Sequence, residues 1–216
     1  EGWLVDWLNT KGIDAHAVAS PVAMNTNCGA GEFSPSDKWT WKQLQSYTGE
    51  HLLLIHLAQR CRDGMPNDWL VGSIVAAALD GDGDRCLLIE VTPTGLQIFD
   101  GDRMADMLLR AGGESWRLAA SIEADLGLAV DIQTAVGDRW LSTALSPPSS
   151  QSERLLLGVE TPQVLGCEDI GHLVMAAPHP RLDNHWSLVG DGIASLLALL
   201  AAQRGLSGIS DDGFVR

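Results

Sequence analysis

The chain has 216 residues, 45% of them hydrophobic and 19% charged, with a formal net charge of -14 at pH 7. That balance describes a folded protein with room for one large domain or two modest ones, and excludes a disordered chain. The acidic charge and the lack of a basic stripe argue against a nucleic-acid partner, and the longest strongly apolar stretch, Ile193–Ala202, is too short to span a bilayer.

The chain opens on Glu1 without a methionine, as if cut from something longer, and enters Trp3-Leu4-Val5-Asp6-Trp7-Leu8, apolar residues at helical spacing that Gly12 can stop. Ile13–Ala19 alternates apolar and polar residues and reads as a strand, and Asn25–Gly31 as a turn-rich loop. Ser36 is placed to cap a helix from Asp37 to Tyr47. Glu50–Arg60 reads as a second helix, although Leu52–Ile55 alone also fits a strand. Apolar strands at Ile74–Leu79 and Cys86–Ile89 flank an aspartate loop, and a short strand follows at Leu96–Phe99.

Asp102 can cap a helix through Arg110, after which the pattern restarts. A helix is expected over Glu114–Leu126, a strand over Ala129–Thr134, a loop over Val136–Arg139 and a helix to Leu145. A Ser/Pro linker, Ser146–Ser152, precedes strands at Leu155–Glu160 and His172–Ala176. The last helix runs from Asp191 to Arg204 with Gly205 as its C′ residue, and it is apolar nearly all round, which predicts burial. Alternating strands and helices give an α/β fold, read as two consecutive layered domains of mixed sheets and helices, residues 1–100 and 101–216.

The loop Asp80-Gly81-Asp82-Gly83-Asp84-Arg85 carries the most chemistry. Its carboxylates stand at i, i+2 and i+4 with only glycines between them. Positive φ at a glycine lets such side chains converge instead of splaying to opposite faces. A hard cation such as Mg2+ takes oxygen ligands and shares its shell with a substrate phosphate, which the adjacent guanidinium can grip. An ordinary solvated turn has the same composition. An EF-hand Ca2+ loop is excluded, because its sixth position should be Gly and is Arg85, and its twelfth should be Glu and is Val91.

The loop keeps company. Asn25-Thr26-Asn27-Cys28-Gly29-Ala30 precedes it, and Asp100-Gly101-Asp102, Val136-Gly137-Asp138-Arg139, Gly166-Cys167-Glu168-Asp169-Ile170-Gly171-His172 and Gly190-Asp191-Gly192-Ile193 follow it. In that order the series resembles the α-D-phosphohexomutases, the family of phosphoglucosamine mutase, phosphomannomutase and phosphoglucomutase. The resemblance covers the two central domains of four, a metal-loop domain and a sugar-loop domain. It implies a Mg2+-dependent isomerase that interconverts hexose or hexosamine 6-phosphate and 1-phosphate through a phosphoserine. It further implies that Asp80, Asp82 and Asp84 bind Mg2+ and that Arg85 contacts the phosphoryl group. Glu168 would accept sugar hydroxyls, His172 would close the sugar loop toward the reacting hydroxyl, and Arg139 would contact the substrate phosphate. The serine loop (T-A-S-H-N-P) and the distal phosphate loop (S-G-T-E-P) of the family do not occur in this sequence. The expected partners are therefore a phosphosugar and flanking domains of the same protein, and the chain alone is expected to be inactive. Two sugar-loop positions depart from the family pattern, Cys167 where glycine is expected and Ile170 where serine is. That change leaves open a non-catalytic relative that binds Mg2+ or sugar phosphate as a binding or regulatory module.

Four widely spaced cysteines (28, 61, 86, 167), none in a C-x-x-C pair, read as free thiols of a cytoplasmic protein. His16, His51, His56, His179 and His185 show no ligand spacing, and the eight tryptophans read as core or domain-interface packing.

Overall fold

The computed structural model describes residues 2–18, 26–27, 29–113, 116–125, 127–147 and 155–209. Asn25 and Cys28 of the first motif, and the Ser/Pro linker beyond residue 147, lie outside the described residues.

The elements in chain order are α1 (Gly2–Thr10), β1 (Lys38–Thr40), α2 (Trp41–Gln45), α3 (Leu52–Arg60), β2 (Ile74–Leu79), β3 (Cys86–Thr92) and β4 (Gly95–Phe99). Then come α4 (Gly101–Gly112), β5 (Arg117–Ser121), β6 (Ile132–Thr134), α5 (Asp138–Leu145), β7 (Leu155–Leu157), β8 (Val164–Glu168), β9 (His172–Pro178), β10 (His185–Gly190) and α6 (Gly192–Ile209). A 3-10 turn at Ala30–Glu32 precedes β1. The fold is mixed α/β with two sheets. The first is antiparallel, in the order β1-β4-β3-β2. The second has the order β6-β5-β8-β9-β10-β7, parallel among β6, β5 and β8 and antiparallel beyond. The boundary read from the sequence at residue 100 falls at Asp100, the N-cap of α4, between the strands of the two sheets.

Strands β5 and β8 are covered on both faces. Leu118, Ala120, Leu165 and Cys167 point into one core with Leu87, Leu88 and Ile89 of β3, Met104 of α4 and Leu199 of α6. Ala119 and Val164 point the other way, into a second cluster with Leu141 and Leu145 of α5. Side chains on a strand alternate faces, so a doubly covered strand reads as a continuous apolar or small-residue run.

That double coverage explains the main departure from the sequence reading. The segment expected as one helix over Glu114–Leu126 contains β5, because its Ala-rich run is helix-forming in isolation but here lies between two apolar layers. The helix expected from Asp37 to Tyr47 is split. Lys38–Thr40 pairs with β4, and Thr40 then caps α2, accepting from the Gln43 N–H while the Gln43 side chain accepts from the Thr40 N–H. Residues 13–18 form no strand, and β8 and β10 join the sheet without having been expected as strands. Asp100 caps α4 by accepting from the Arg103 N–H, in place of Asp102. Helix α6 continues through Gly205. Trp69 is buried, but Trp3, Trp7 and Trp140 are exposed, so the tryptophans do not all pack in a core. Cys61, Cys86 and Cys167 are buried free thiols, and burial raises the Cys86 thiol to about 12.

Candidate functional site

The Asp80–Arg85 loop joins β2 to β3, and two separate segments pin it. The Gly192 N–H at the start of α6 donates to the Gly83 carbonyl at 2.8 Å, and the Cys86 N–H donates to the Gly171 carbonyl at 3.0 Å. Arg85 also bridges His172 as an isolated antiparallel pair. Residues of the first sheet, the second sheet and the last helix therefore meet at one point. Gly83 has φ +79, the left-handed conformation that turns the loop back on itself.

The loop carboxylates converge, with one oxygen from each of Asp80, Asp82 and Asp84 within 4.8 Å of the others. Ligands of Mg2+ at about 2.1 Å stand about 3–4 Å apart, a tighter spacing than the 4.8 Å within which these oxygens lie. The three are not equivalent. The Asp80 side chain is 4% exposed, and its Oδ1 accepts from the Gly83 and Arg85 N–H groups while Oδ2 accepts from Arg85 Nε at 2.6 Å. Burial works to raise its pKa, but the Arg85 hydrogen bonds outweigh it and hold the carboxyl below its ordinary value. Asp84 is raised, first by burial and then by Asp80 and Asp82, with His172 opposing. Asp82 is exposed at the loop tip.

The residues singled out in the sugar loop fall into two groups. His172 opens β9 and is 5% exposed, with Nδ1 at 3.3 Å from Asp84 Oδ2. Its Nε2 is buried without a hydrogen-bond partner among the described residues, and a Cβ placed on Gly190 would lie 2.3 Å from it. Glu168 ends β8, is 4% exposed, and accepts a short hydrogen bond from the Gly137 N–H at the start of α5. That bond ties the Val136–Arg139 loop to the sugar loop. Arg139 is exposed, stacked 5.8 Å from the Trp140 ring centroid. Asp80, Asp82, Asp84, Arg85 and His172 thus form one cluster, while Glu168 and Arg139 are linked through Gly137.

Two motifs quoted from the sequence have roles that it did not show. Gly190 makes room for the His172 ring, and Asp100 and Asp102 at the start of α4 form an acidic group with Asp169 of the sugar loop. Burial raises the pKa of all three, and the Gly101 N–H donates to the Asp169 carbonyl at 2.9 Å. The repeated Asp-Gly-Asp at 100–102 was the available signal for that group.

No protein-family model matches the chain. It is similar to the phosphoglucosamine mutase of Acidothermus cellulolyticus, 31% identical over 142 residues, which is 60% of this chain and 26% of that protein. The phosphoglucosamine mutase of Jannaschia sp. is 31% identical over 144 residues, and that of Mycolicibacterium smegmatis 32% over 151. The chain thus spans about a quarter of the length of these curated relatives. Among solved structures, an apo N-acetylglucosamine-phosphate mutase of the alpha-D-phosphohexomutase superfamily superposes with TM-score 0.45 at 16% identity, covering 85% of this chain and 37% of that one. An Aspergillus fumigatus N-acetylphosphoglucosamine mutase in complex with GlcNAc-6P and magnesium gives TM-score 0.43 at 16% identity, covering 86% of this chain and 36% of that one. Over about 60% of its length, this chain is a homologue of the phosphoglucosamine mutases, in keeping with the family its motif series resembles.

Proposed function

We propose that the chain carries the metal-binding and sugar-binding part of a phosphohexomutase, with residues 1–100 as the metal-loop domain and 101–216 as the sugar-loop domain. The parent would interconvert hexose or hexosamine 6-phosphate and 1-phosphate. The observation that supports this best is the convergence of Asp80, Asp82 and Asp84 beside Arg85 and His172, in a homologue of phosphoglucosamine mutases.

In this reading the three aspartates hold Mg2+. When bound, that ion neutralises charge on the phosphoryl oxygens and orients them. Arg85 keeps Nε on Asp80 and presents its terminal N–H groups to a phosphoryl group, so one side chain both fixes the loop and grips the substrate. His172 holds Asp84 through Nδ1 and acts on the reaction by positioning that carboxylate. Glu168 accepts sugar hydroxyls with the lone pairs that Gly137 leaves free, and Arg139 offers an exposed guanidinium to the substrate phosphate. The nucleophilic phosphoserine is supplied by a segment outside these residues, since no T-A-S-H-N-P loop occurs in the sequence.

The test is interconversion of glucosamine 6-phosphate and 1-phosphate. These 216 residues alone are expected to show no turnover, and a longer form with the serine loop is expected to be active. Robust turnover by the chain alone would overturn the reading. Ile170 in place of the family's serine favours a second reading, a module that binds Mg2+ or sugar phosphate without catalysis. An apolar side chain there leaves a sugar hydroxyl unpaired, at about 1–3 kcal/mol. A longer form that contains the serine loop yet fails to turn over would select it.

A further inference from the structure

A cleft of about 370 Å³ opens beside β1, and none of its lining residues belongs to the aspartate loop or the sugar loop. Its volume lies near the lower end of small-molecule sites, which span about 300–1,000 Å³. Three aromatic rings, Phe33, Trp39 and Tyr47, and three carboxylates, Glu32, Asp37 and Glu50, line it.

The aromatic walls are held in place. Phe33 meets Trp39 edge-on, with ring centroids 5.6 Å apart and planes at 67°. Phe33 also lies against His51 at 4.3 Å. Tyr47 folds over Gly49, where a Cβ would stand 2.4 Å from the Tyr47 hydroxyl, so glycine is required for that ring position. His51, another lining residue, is 8% exposed. Its Nδ1 is buried without a hydrogen-bond partner among the described residues, and its Nε2 is 3.4 Å from Glu32 Oε2 and 3.5 Å from the Gly29 carbonyl. Burial lowers the His51 pKa, with the Gly29 carbonyl and Glu32 opposing, so burial favours the neutral ring.

The carboxylates are held by hydrogen bonds from neighbouring amides. Glu32 accepts from the Asn27 N–H, Glu50 from the Asn27 amide and Asp37 from the Ser34 N–H. Among the described residues no lysine or arginine pairs with any of them. The cleft thus gathers three carboxylates and three aromatic rings beside a buried imidazole whose Nε2 faces Glu32 and the Gly29 carbonyl.

We propose that this cleft binds a small organic cation of the quaternary-ammonium or alkylated-amine class. An anion would meet three carboxylates. A neutral apolar molecule would strip water from them without return. A hard metal ion gains nothing from ring faces, whereas a diffuse ammonium surrounded by methyl groups is attracted by both the rings and the carboxylates. This proposal is independent of the phosphohexomutase reading.

The test is calorimetric titration of the full chain with choline, beside its neutral isostere 3,3-dimethylbutan-1-ol. Saturable choline binding is expected, with the isostere weaker by roughly tenfold or more. Glu50→Gln should weaken choline binding several-fold, and Trp39→Leu should abolish it. Circular dichroism establishes that each variant is folded, and exposed Glu50 supplies a charge test that does not disturb packing. Asp82→Asn, in the aspartate loop, should leave choline affinity unchanged. Absence of saturable binding, equal affinity for the isostere, an unaltered Glu50→Gln variant, or loss in Asp82→Asn would each overturn the proposal.

Discussion

Asp80 carries the densest set of hydrogen bonds among the three loop carboxylates, while Asp82 at the exposed tip carries none from the loop backbone. A buried, anchored carboxylate shapes the loop, and an exposed one is free to meet an ion. In the proposed reading, replacing Asp82 therefore removes a ligand charge with little effect on folding. Asp82→Asn is expected to weaken Mg2+ binding by about an order of magnitude in calorimetry, with an unchanged unfolding curve. Gly190 presents the opposite case, in which the missing side chain is what matters. A Cβ at 2.3 Å from His172 Nε2 would push the imidazole off Asp84. Gly190→Ala is expected to lower stability by about 1–3 kcal/mol in urea unfolding, since the buried ring must shift to admit the methyl group.

Helix α4 shows how a cap and a buried charge oppose each other within one element. Asp100 satisfies the Arg103 N–H, while Asp102 in the first turn is buried, accepting from the Asp125 N–H and lying 3.9 Å from Cys167 Sγ. Burial first, then Asp100, Asp169 and Asp125, raise the Asp102 pKa above its unfolded value, with the Asp125 N–H opposing. The stability from protonated Asp102 is therefore complete below its unfolded pKa of about 3.9, and it is lost as pH rises through the higher folded value. Asp102→Asn can keep the Asp125 bond and donate toward Cys167. Thermal melts are expected to show the variant at or above wild-type stability near about pH 7, the difference reversing or closing by about pH 4. Element types were legible where periodicity and length agreed, as in α3, β2 and α6. They were not legible at β5, where local propensity favoured helix and only two flanking layers favoured strand.

At the scale of the whole molecule, one apolar cluster runs from β3 of the first sheet through α4 and α6 to β5, β8 and β9 of the second. The aspartate loop sits where these layers meet, so its geometry depends on their packing. Leu173 of β9 is fully buried in that cluster, one residue past His172. Leu173→Ala is expected to cost about 2–5 kcal/mol in urea unfolding, through lost burial and the cavity left behind. Among the described residues no helix is long and apolar enough to cross a membrane.

The sequence by itself determined the aspartate loop, the strands on both sides of it, the order of the motifs and hence the family they resemble. Those features are local, fixed by residue type and spacing over a few positions. The tertiary structure alone decided that His172 meets Asp84 across 88 residues, that Gly137 reaches the Glu168 carboxylate, and that Glu32, Trp39 and His51 share one cleft. Such contacts depend on which layers cover which faces, and side chains brought together by packing leave no periodic trace along the chain.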